Sequence, residues 1–224
     1  MLHSLVIPVT PLQQNCSLIW DEEGQAACVD PGGDLARVLQ EADRRALILT
    51  KILLTHAHVD HCAAAAELAR TRAVRIEGPH RADRFWIEAL PMLAEQFGMP
   101  PAAVFEPDRW LEDGDTVSVG AEVFEVLHCP GHTPGHVVFF HRATRCTWVG
   151  DVLFAGSIGR TDFPQGDHAA LIRSIREKLF VLGDDVRFVP GHGPMSTFGA
   201  ERRTNPFVAD RLFASAQQGN QEPR

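Results

Sequence analysis

Apolar and polar residues alternate, or apolar ones run in short blocks, along the first third of the chain. This predicts strands over 2–9 (LHSLVIPV), 16–20 (CSLIW) and 26–30 (AACVD), with DEEG at 21–24 as the turn between the last two. DPGGD (30–34) breaks the pattern. Leu35, Val38, Leu39 and Ala42 then recur at helical spacing, so Asp34 is expected to cap a helix reaching about Arg44. KILLT (51–55) reads as a strand buried on both faces, followed by an alanine-rich helix over 62–72. A short strand at VRIEG (74–78) and a helix over about 81–97, kinked at Pro91, come next. DTVSVG (115–120), EVFEVLH (122–128), HVVFFH (136–141) and CTWVG (146–150) form a second set of strands. A helix over about 167–182, the strand VRFVP (186–190) and a helical segment from about Gly199 complete the pattern. Either set of strands alone would leave an apolar sheet face bare. The expectation is therefore an α/β fold of two sheets packed face to face and covered by helices, in a single domain over 1–215. The polar end QQGNQEPR makes 216–224 an expected disordered tail.

Composition removes several classes of function. The 224 residues carry a formal charge of −8 with scattered basic side chains, so no basic stripe exists to hold a nucleic-acid backbone. No apolar run approaches the roughly 20 residues that span a bilayer. MLHSLVIPVTPLQQN lacks a basic start and is interrupted by Pro8 and Pro11, unlike a signal peptide. Cys16, Cys28, Cys62, Cys129 and Cys146 are odd in number and show no C-x-x-C spacing. They read as reduced, mostly buried thiols of a cytoplasmic protein, expected to act as a monomer on a small molecule.

Among eleven histidines, some share one context with two aspartates: a loop at the carboxyl end of an apolar strand. They are His56, His58, Asp60 and His61 in THAHVDH, His132 after FEVLHCP, Asp151 after CTWVG, and His192 after VRFVP. Such strand ends are where α/β scaffolds present functional groups. The i, i+2 spacing puts His56 and His58 on one side of an extended segment, while Asp60 and His61 fall where a helix begins and can aim elsewhere. Two adjacent metals are therefore expected, one held by His56, His58 and His132 and the other by Asp60, His61 and His192, with Asp151 bridging. Nitrogen and oxygen donors without thiolate suit divalent zinc first, then iron or manganese. The plain alternative, exposed loop histidines and Asp60 as a helix N-cap, explains any one residue but not seven metal-type side chains at four strand ends. Asp30 is a candidate to orient the imidazoles, whereas His128 and His136 read as structural.

THAHVDH (55–61), GHTPGH (131–136), GDVLF (150–154) and PGHGP (190–194) together resemble the metallo-β-lactamase superfamily over nearly the whole chain. The resemblance implies an αββα sandwich of two mixed sheets with a metal site along one edge. True β-lactamases of this fold lack the bridging aspartate, so Asp151 argues against antibiotic hydrolysis. Flavodiiron proteins carry glutamate where His58 stands, nuclease relatives need a basic arm, and lactonases use a tyrosine in a chain that here has none.

GSIGRTDFPQGD (156–167) with STFGAERRTNPF (196–207) is similar to glyoxalase II, which hydrolyses S-acylglutathione, such as S-lactoylglutathione to D-lactate and glutathione in methylglyoxal detoxification. GRTDF also occurs in persulfide dioxygenases with a single iron, but those typically carry NPR where NPF stands here, and an AHD-type motif in place of GHGP. A non-catalytic metal- or partner-binding protein on the same fold is the third reading; such proteins commonly lose ligands, and none is lost here. The resemblance implies that Arg160 binds a substrate carboxylate, a task suited to a guanidinium fork. Two tyrosines that hold glutathione in the family match Asp162 and Pro194, and only residues 208–224 follow the NPF segment, so the likeness is to the short single-domain branch. The expected reaction is thioester hydrolysis by a hydroxide shared between the metals, with Asp60 and Asp151 orienting it as well as ligating.

Overall fold

The computed structural model describes residues 1–214. The expected domain end at 215 and the expected tail at 216–224 lie outside the described residues. The first sheet is built from β1 (His3–Val9), β2 (Gln14–Trp20), β3 (Gln25–Val29), β4 (Ile48–Leu53) and β5 (Arg75–Glu77), in that spatial order. Strands β1 to β3 are antiparallel, and β3, β4 and β5 run parallel because helices α1 (Leu35–Arg44), α2 (Val59–Cys62) and α3 (Ala65–Arg72) supply the crossovers. Two further helices, α4 (Arg84–Glu88) and α5 (Leu90–Gln96), follow β5. The expected single helix over 81–97 thus divides at Ala89, two residues before Pro91, which sits in the first turn of α5, where a missing N–H is harmless.

The second sheet takes β6 (Thr116–Val119), β7 (Glu122–His128), β8 (Val137–His141), β9 (Cys146–Gly150), β12 (Arg187–Pro190) and β13 (Ser196–Thr197), ordered β13-β12-β9-β8-β7-β6. Between β9 and β12 lie the hairpin β10 (Leu153–Phe154) and β11 (Ser157–Ile158) and helix α6 (His168–Arg173). The backbone continues from α6 as a π-helical stretch to Leu179 and a short 3₁₀ turn to Leu182, and α7 (Phe198–Thr204) closes the described fold.

Side-chain alternation decides the layering. Val137 and Phe139 of β8 point between the sheets, beside Ile19, Val29 and Leu53 of the first sheet. Val138 and Phe140 point outward onto Leu171, Ile175 and Leu179. Leu18, Cys28 and Ile52 meet α1, α3 and α4 through Val38, Leu68 and Ile87 on the far side. Helix, sheet, sheet, helix is the expected αββα order, and strands covered on both faces read as near-continuous apolar runs. Each large apolar side chain buried this way contributes roughly 1.5–3 kcal/mol.

Two local expectations are corrected. Asp34 occupies the N-cap position of α1 but does not cap it: its φ is +49°, and its Oδ2 instead accepts from the Thr10 N–H at 2.8 Å, tying the helix start to the β1–β2 turn. The strand at KILLT begins earlier, at Ile48, whose side chain is exposed. Full burial starts only at Ile52, where α3 and α4 cover the sheet.

Candidate metal centre

Four strand ends of the first and second sheets converge on one edge of the sandwich. The chain leaves β4 as an extended loop, so His56 and His58 project to one side before α2 turns Asp60 and His61 to another. His132 follows β7, Asp151 follows β9 and His192 follows β12. The backbone packing here needs glycine twice. Gly150 sits at φ +49°, with Thr55 Oγ1 2.5 Å and His136 Nε2 2.6 Å from where a Cβ would be. At Gly191 a Cβ would fall 2.0 Å from Asp151 Oδ1, so any side chain would displace that carboxylate.

Two donor triads result. His58 Nδ1 lies 3.2 Å from His56 Nε2 and 2.9 Å from His132 Nε2. Asp60 Oδ2 lies 3.1 Å from His192 Nε2 and 3.9 Å from His61 Nε2. The Asp151 carboxylate stands between them: Oδ1 is 3.3 Å from His61 Nε2, while Oδ2 is 3.5 Å from His132 Nε2 and 3.7 Å from His192 Nε2. All seven residues expected to bind metal are therefore brought together, six of them in the two groups that their spacing suggests and Asp151 between these.

Hydrogen bonds behind the rings fix the tautomers. His56 Nδ1 donates to Thr55 Oγ1 (3.0 Å), whose hydroxyl in turn donates to Asp30 Oδ2 (2.6 Å). His61 Nδ1 donates to the same Asp30 oxygen (3.0 Å), His132 Nδ1 to the Arg160 carbonyl (2.7 Å), and His192 Nδ1 to the Leu12 carbonyl (3.2 Å). Each of these four rings thus turns its Nε2 to the centre. Asp30 does begin the turn after β3, at φ +51°, and that bend is what points both its oxygens at Thr55 and His61. The grouping of Asp30 with His56 and His61 is consequently a support for the rings, its oxygens already taken by donors.

Electrostatics separates the triads. Burial, with His61 and other neighbouring histidines, holds His56 well below the usual imidazole range, and burial with His132 pushes His58 down to about 3. His132 is lowered chiefly by burial. Burial opposes protonation of His61 too, but Asp151 and Asp60 overcome it and raise its pKa well above normal. His192 is raised against burial by Asp60 and Asp151. Asp151 is strongly depressed despite its burial, because His61 and His132 favour its charged form.

These residues fit a cation. His61 Nε2 and Asp151 Oδ1 are buried with no hydrogen-bond partner, a costly state unless something else satisfies them. His56 Nε2 and His132 Nε2, whose ring protons are committed at Nδ1, both face His58 Nδ1, at 3.2 and 2.9 Å, so a proton there could serve only one of them. A cation among them would satisfy all three nitrogens at once, and nitrogen and oxygen donors match a divalent first-row metal.

Several supporting residues had no sequence signal. Asp83, fully buried just before α4, accepts from Ala57 N–H (3.0 Å), Thr133 Oγ1 (2.8 Å) and Gly135 N–H (2.6 Å), so one carboxylate ties the loop after β4 to the loop after β7. Burial pushes its pKa up to about 7, against those three donors. His136 and His128 are structural, as expected: His136 Nε2 accepts the Asp151 N–H (3.0 Å), and His128 stacks on His80. All five cysteines are buried and unpaired.

Above the donors opens a cleft of about 900 Å³. Trp86 and Phe163 press on His58 with ring centroids 4.6 and 4.7 Å away, and Phe154 stands beside His192. Arg160 lies on the rim, stacked over Phe163 at 4.4 Å, with its guanidinium forked onto Asp162 by two 2.6 Å hydrogen bonds. No helix among the described residues is long and apolar enough to cross a membrane.

A family model of the metallo-beta-lactamase superfamily matches residues 9–192. The chain is 48% identical over 204 residues to the hydroxyacylglutathione hydrolase GloC of Haemophilus influenzae, covering 91% of this chain and 96% of that protein. Among solved structures it is similar to the BLEG-1 B3 metallo-beta-lactamase, at 35% identity and a TM-score of 0.85, over 92% of this chain and 99% of that one. It is also similar to TTHA1623 in a di-iron-bound form, at 38% identity and a TM-score of 0.83, over 91% of this chain and all of that one (100%).

Proposed function

The chain belongs to the metallo-beta-lactamase superfamily, and from that premise we propose that it is a metal-dependent thioesterase acting on S-acylglutathione, S-lactoylglutathione among them. The observation that carries this reading is Asp151, standing between two histidine-rich triads on the floor of a cleft wide enough for a small molecule. His56, His58 and His132 would hold one metal, Asp60, His61 and His192 a second, and Asp151 would be shared. Zinc suits the donors best, with iron or manganese as alternatives. Bound divalent metals would polarise the thioester carbonyl and bring the pKa of water down to about 7.

The chain's own residues do the rest. Asp30, Thr55 and the carbonyls of Leu12 and Arg160 hold four imidazoles by Nδ1 with Nε2 turned to the centre, so the rings need not reorient when substrate arrives. Asp60 and Asp151 are the carboxylates lining the cleft; their oxygens can orient the attacking water and carry its proton toward the departing thiolate sulfur. Trp86 and Phe163 keep bulk water off His58. Arg160 is the cation lining the cleft and would meet a substrate carboxylate, exchanging Asp162 for it. The protein would work as a single-domain cytoplasmic monomer, with no nucleic-acid or membrane partner.

The competing reactions are separated by parallel assays on one preparation with its metal content measured. Release of glutathione from S-lactoylglutathione at about two metals per chain is the expected result. Oxygen uptake with glutathione persulfide, at one iron per chain and without thioester hydrolysis, would overturn it. The likeness to the BLEG-1 enzyme favours β-lactam hydrolysis as a second reading, so a chromogenic cephalosporin belongs in the same series. Turnover of that compound faster than any thioester would shift the assignment.

A further inference from the structure

The cleft is far more apolar than glutathione or a lactoyl group requires. Its charged and polar groups are concentrated at the metal-binding floor and at the rim around Arg160. The remaining wall is mostly apolar, built from Phe85, Trp86, Met92, Leu93 and Phe97 of α4, α5 and the residue after α5, with Leu12 from the β1–β2 turn and Gln96 of α5 as its polar member. Met92, Phe97 and Leu12 are 61%, 53% and 48% exposed, so this wall is apolar surface held open to solvent. A contiguous exposed apolar patch continuous with a reactive floor marks a surface that a ligand covers. Glutathione carries two carboxylates and an ammonium group, and a lactoyl group carries a hydroxyl; none of these gains from contact with phenylalanine and methionine. Arg160, the guanidinium in the lining, meets a substrate carboxylate only by giving up its pair with Asp162, and it lies on the rim, away from the apolar wall.

We infer that the enzyme is built for thioesters with a long or bulky apolar acyl group, whose chain lies along the α4–α5 wall while the thiol portion leaves past Arg160. The inference rests on the thioesterase reading and names the substrate class of that site. It assigns the wall to the acyl end, because outside the metal-binding floor the charged partner for a thiol carrier is Arg160 on the rim, beside Ser157, whereas the wall offers only the amide of Gln96. Met92, Leu93 and Phe97 become determinants of specificity. The reaction that supplies such a substrate must be one that acylates a small thiol with an apolar acid.

The test uses the full-length, metal-loaded protein and a series of S-acylglutathiones with acetyl, butyryl, hexanoyl and octanoyl groups beside S-lactoylglutathione, with free thiol as the readout. Burial of each added methylene should raise kcat/KM by about threefold until the wall is covered, and hexanoyl should exceed lactoyl by tenfold or more. Met92→Ser and Phe97→Ser lie on the solvent-exposed rim, and each should reduce the octanoyl-to-acetyl ratio several-fold. A ratio is insensitive to partial metal loading or partial unfolding. A flat or falling profile with chain length overturns the inference while leaving the thioesterase reading intact. So does a rise that follows an apolar thiol at constant acetyl group rather than the acyl chain. Absence of hydrolysis across the entire series, with metals bound, overturns both.

Discussion

At the scale of single residues, the proposed two-metal centre turns on Asp151. Its carboxylate is the group that approaches imidazoles of both triads, and it is held there from three sides. Its backbone N–H donates to His136, Gly191 leaves room for Oδ1, and Gly159 packs against its carbonyl. Asp151→Asn keeps the volume but replaces one negatively charged oxygen by a donor, which faces His61 or His132 with the wrong polarity. Loss of a group that merely orients a metal ligand costs about 10–100-fold in metal affinity or activity. Removing the shared carboxylate charge should exceed that, with kcat/KM for S-lactoylglutathione falling by more than about 100-fold and bound metal dropping from two toward one. Metal analysis beside the kinetics checks this, and full activity in Asp151→Asn would sink the bridging role. Arg160 shows what a residue-level reading leaves out. Sequence likeness points it at a substrate carboxylate, but whether the fork is free depends on Asp162 two positions on, and a pairing between close neighbours in a loop has no signature in spacing.

At the scale of elements, the loops after β4 and β7 must hold their histidines within about half an ångström for a working site, and Asp83 bonds to both loops. Asp83 supplies the join through Ala57, Thr133 and Gly135. Asp83→Ala would leave three buried donors without an acceptor, each costing about 1–3 kcal/mol. A destabilisation of about 3 kcal/mol or more is expected in urea unfolding, together with weaker metal binding. Asp83→Asn retains one acceptor oxygen and should lose less on both counts; equal stability of Asp83→Ala and the parent would show that the strut is dispensable. This element-level device was not legible in the sequence, because HRAD (80–83) reads only as the start of a helix. The two donor triads were legible because their residues sit at strand ends, and strand ends follow from apolar blocks such as ILL and FEVL. Shorter pieces escaped for the opposite reason: β10, β11 and β13 are two residues each, too short to show a period. Asp34 misled because its residue type suits a cap, while the tertiary bond to Thr10 takes its carboxylate elsewhere.

At the scale of the whole molecule, each triad draws its donor side chains from both sheets. His56 and His58 come from the first sheet and His132 from the second; Asp60 and His61 come from the first and His192 from the second. Bound metal would therefore staple the two layers together, and folding stability should report metal occupancy. Free metal at a hundredfold excess over its dissociation constant adds about 2.7 kcal/mol. For a chain of this size that corresponds to roughly 5–10 °C in Tm. The gain must depend on pH, with a different window for each triad. His56, His58 and His132 are held below the usual imidazole range in the metal-free site, so protons do not compete for them near neutrality. His61 and His192 are raised above that range, so a metal entering the second triad has to displace protons at neutral pH and below. As pH falls from 8 to 5, the second triad should empty first. Bound metal should drop from two toward one per chain, and the Tm difference between metal-loaded and chelated protein should shrink by about half. Metal content after dialysis at each pH, with thermal unfolding of the same samples, measures both. Simultaneous loss of both metals, or a Tm difference that is unchanged across that range, would show that the triads do not differ in the way their carboxylates dictate.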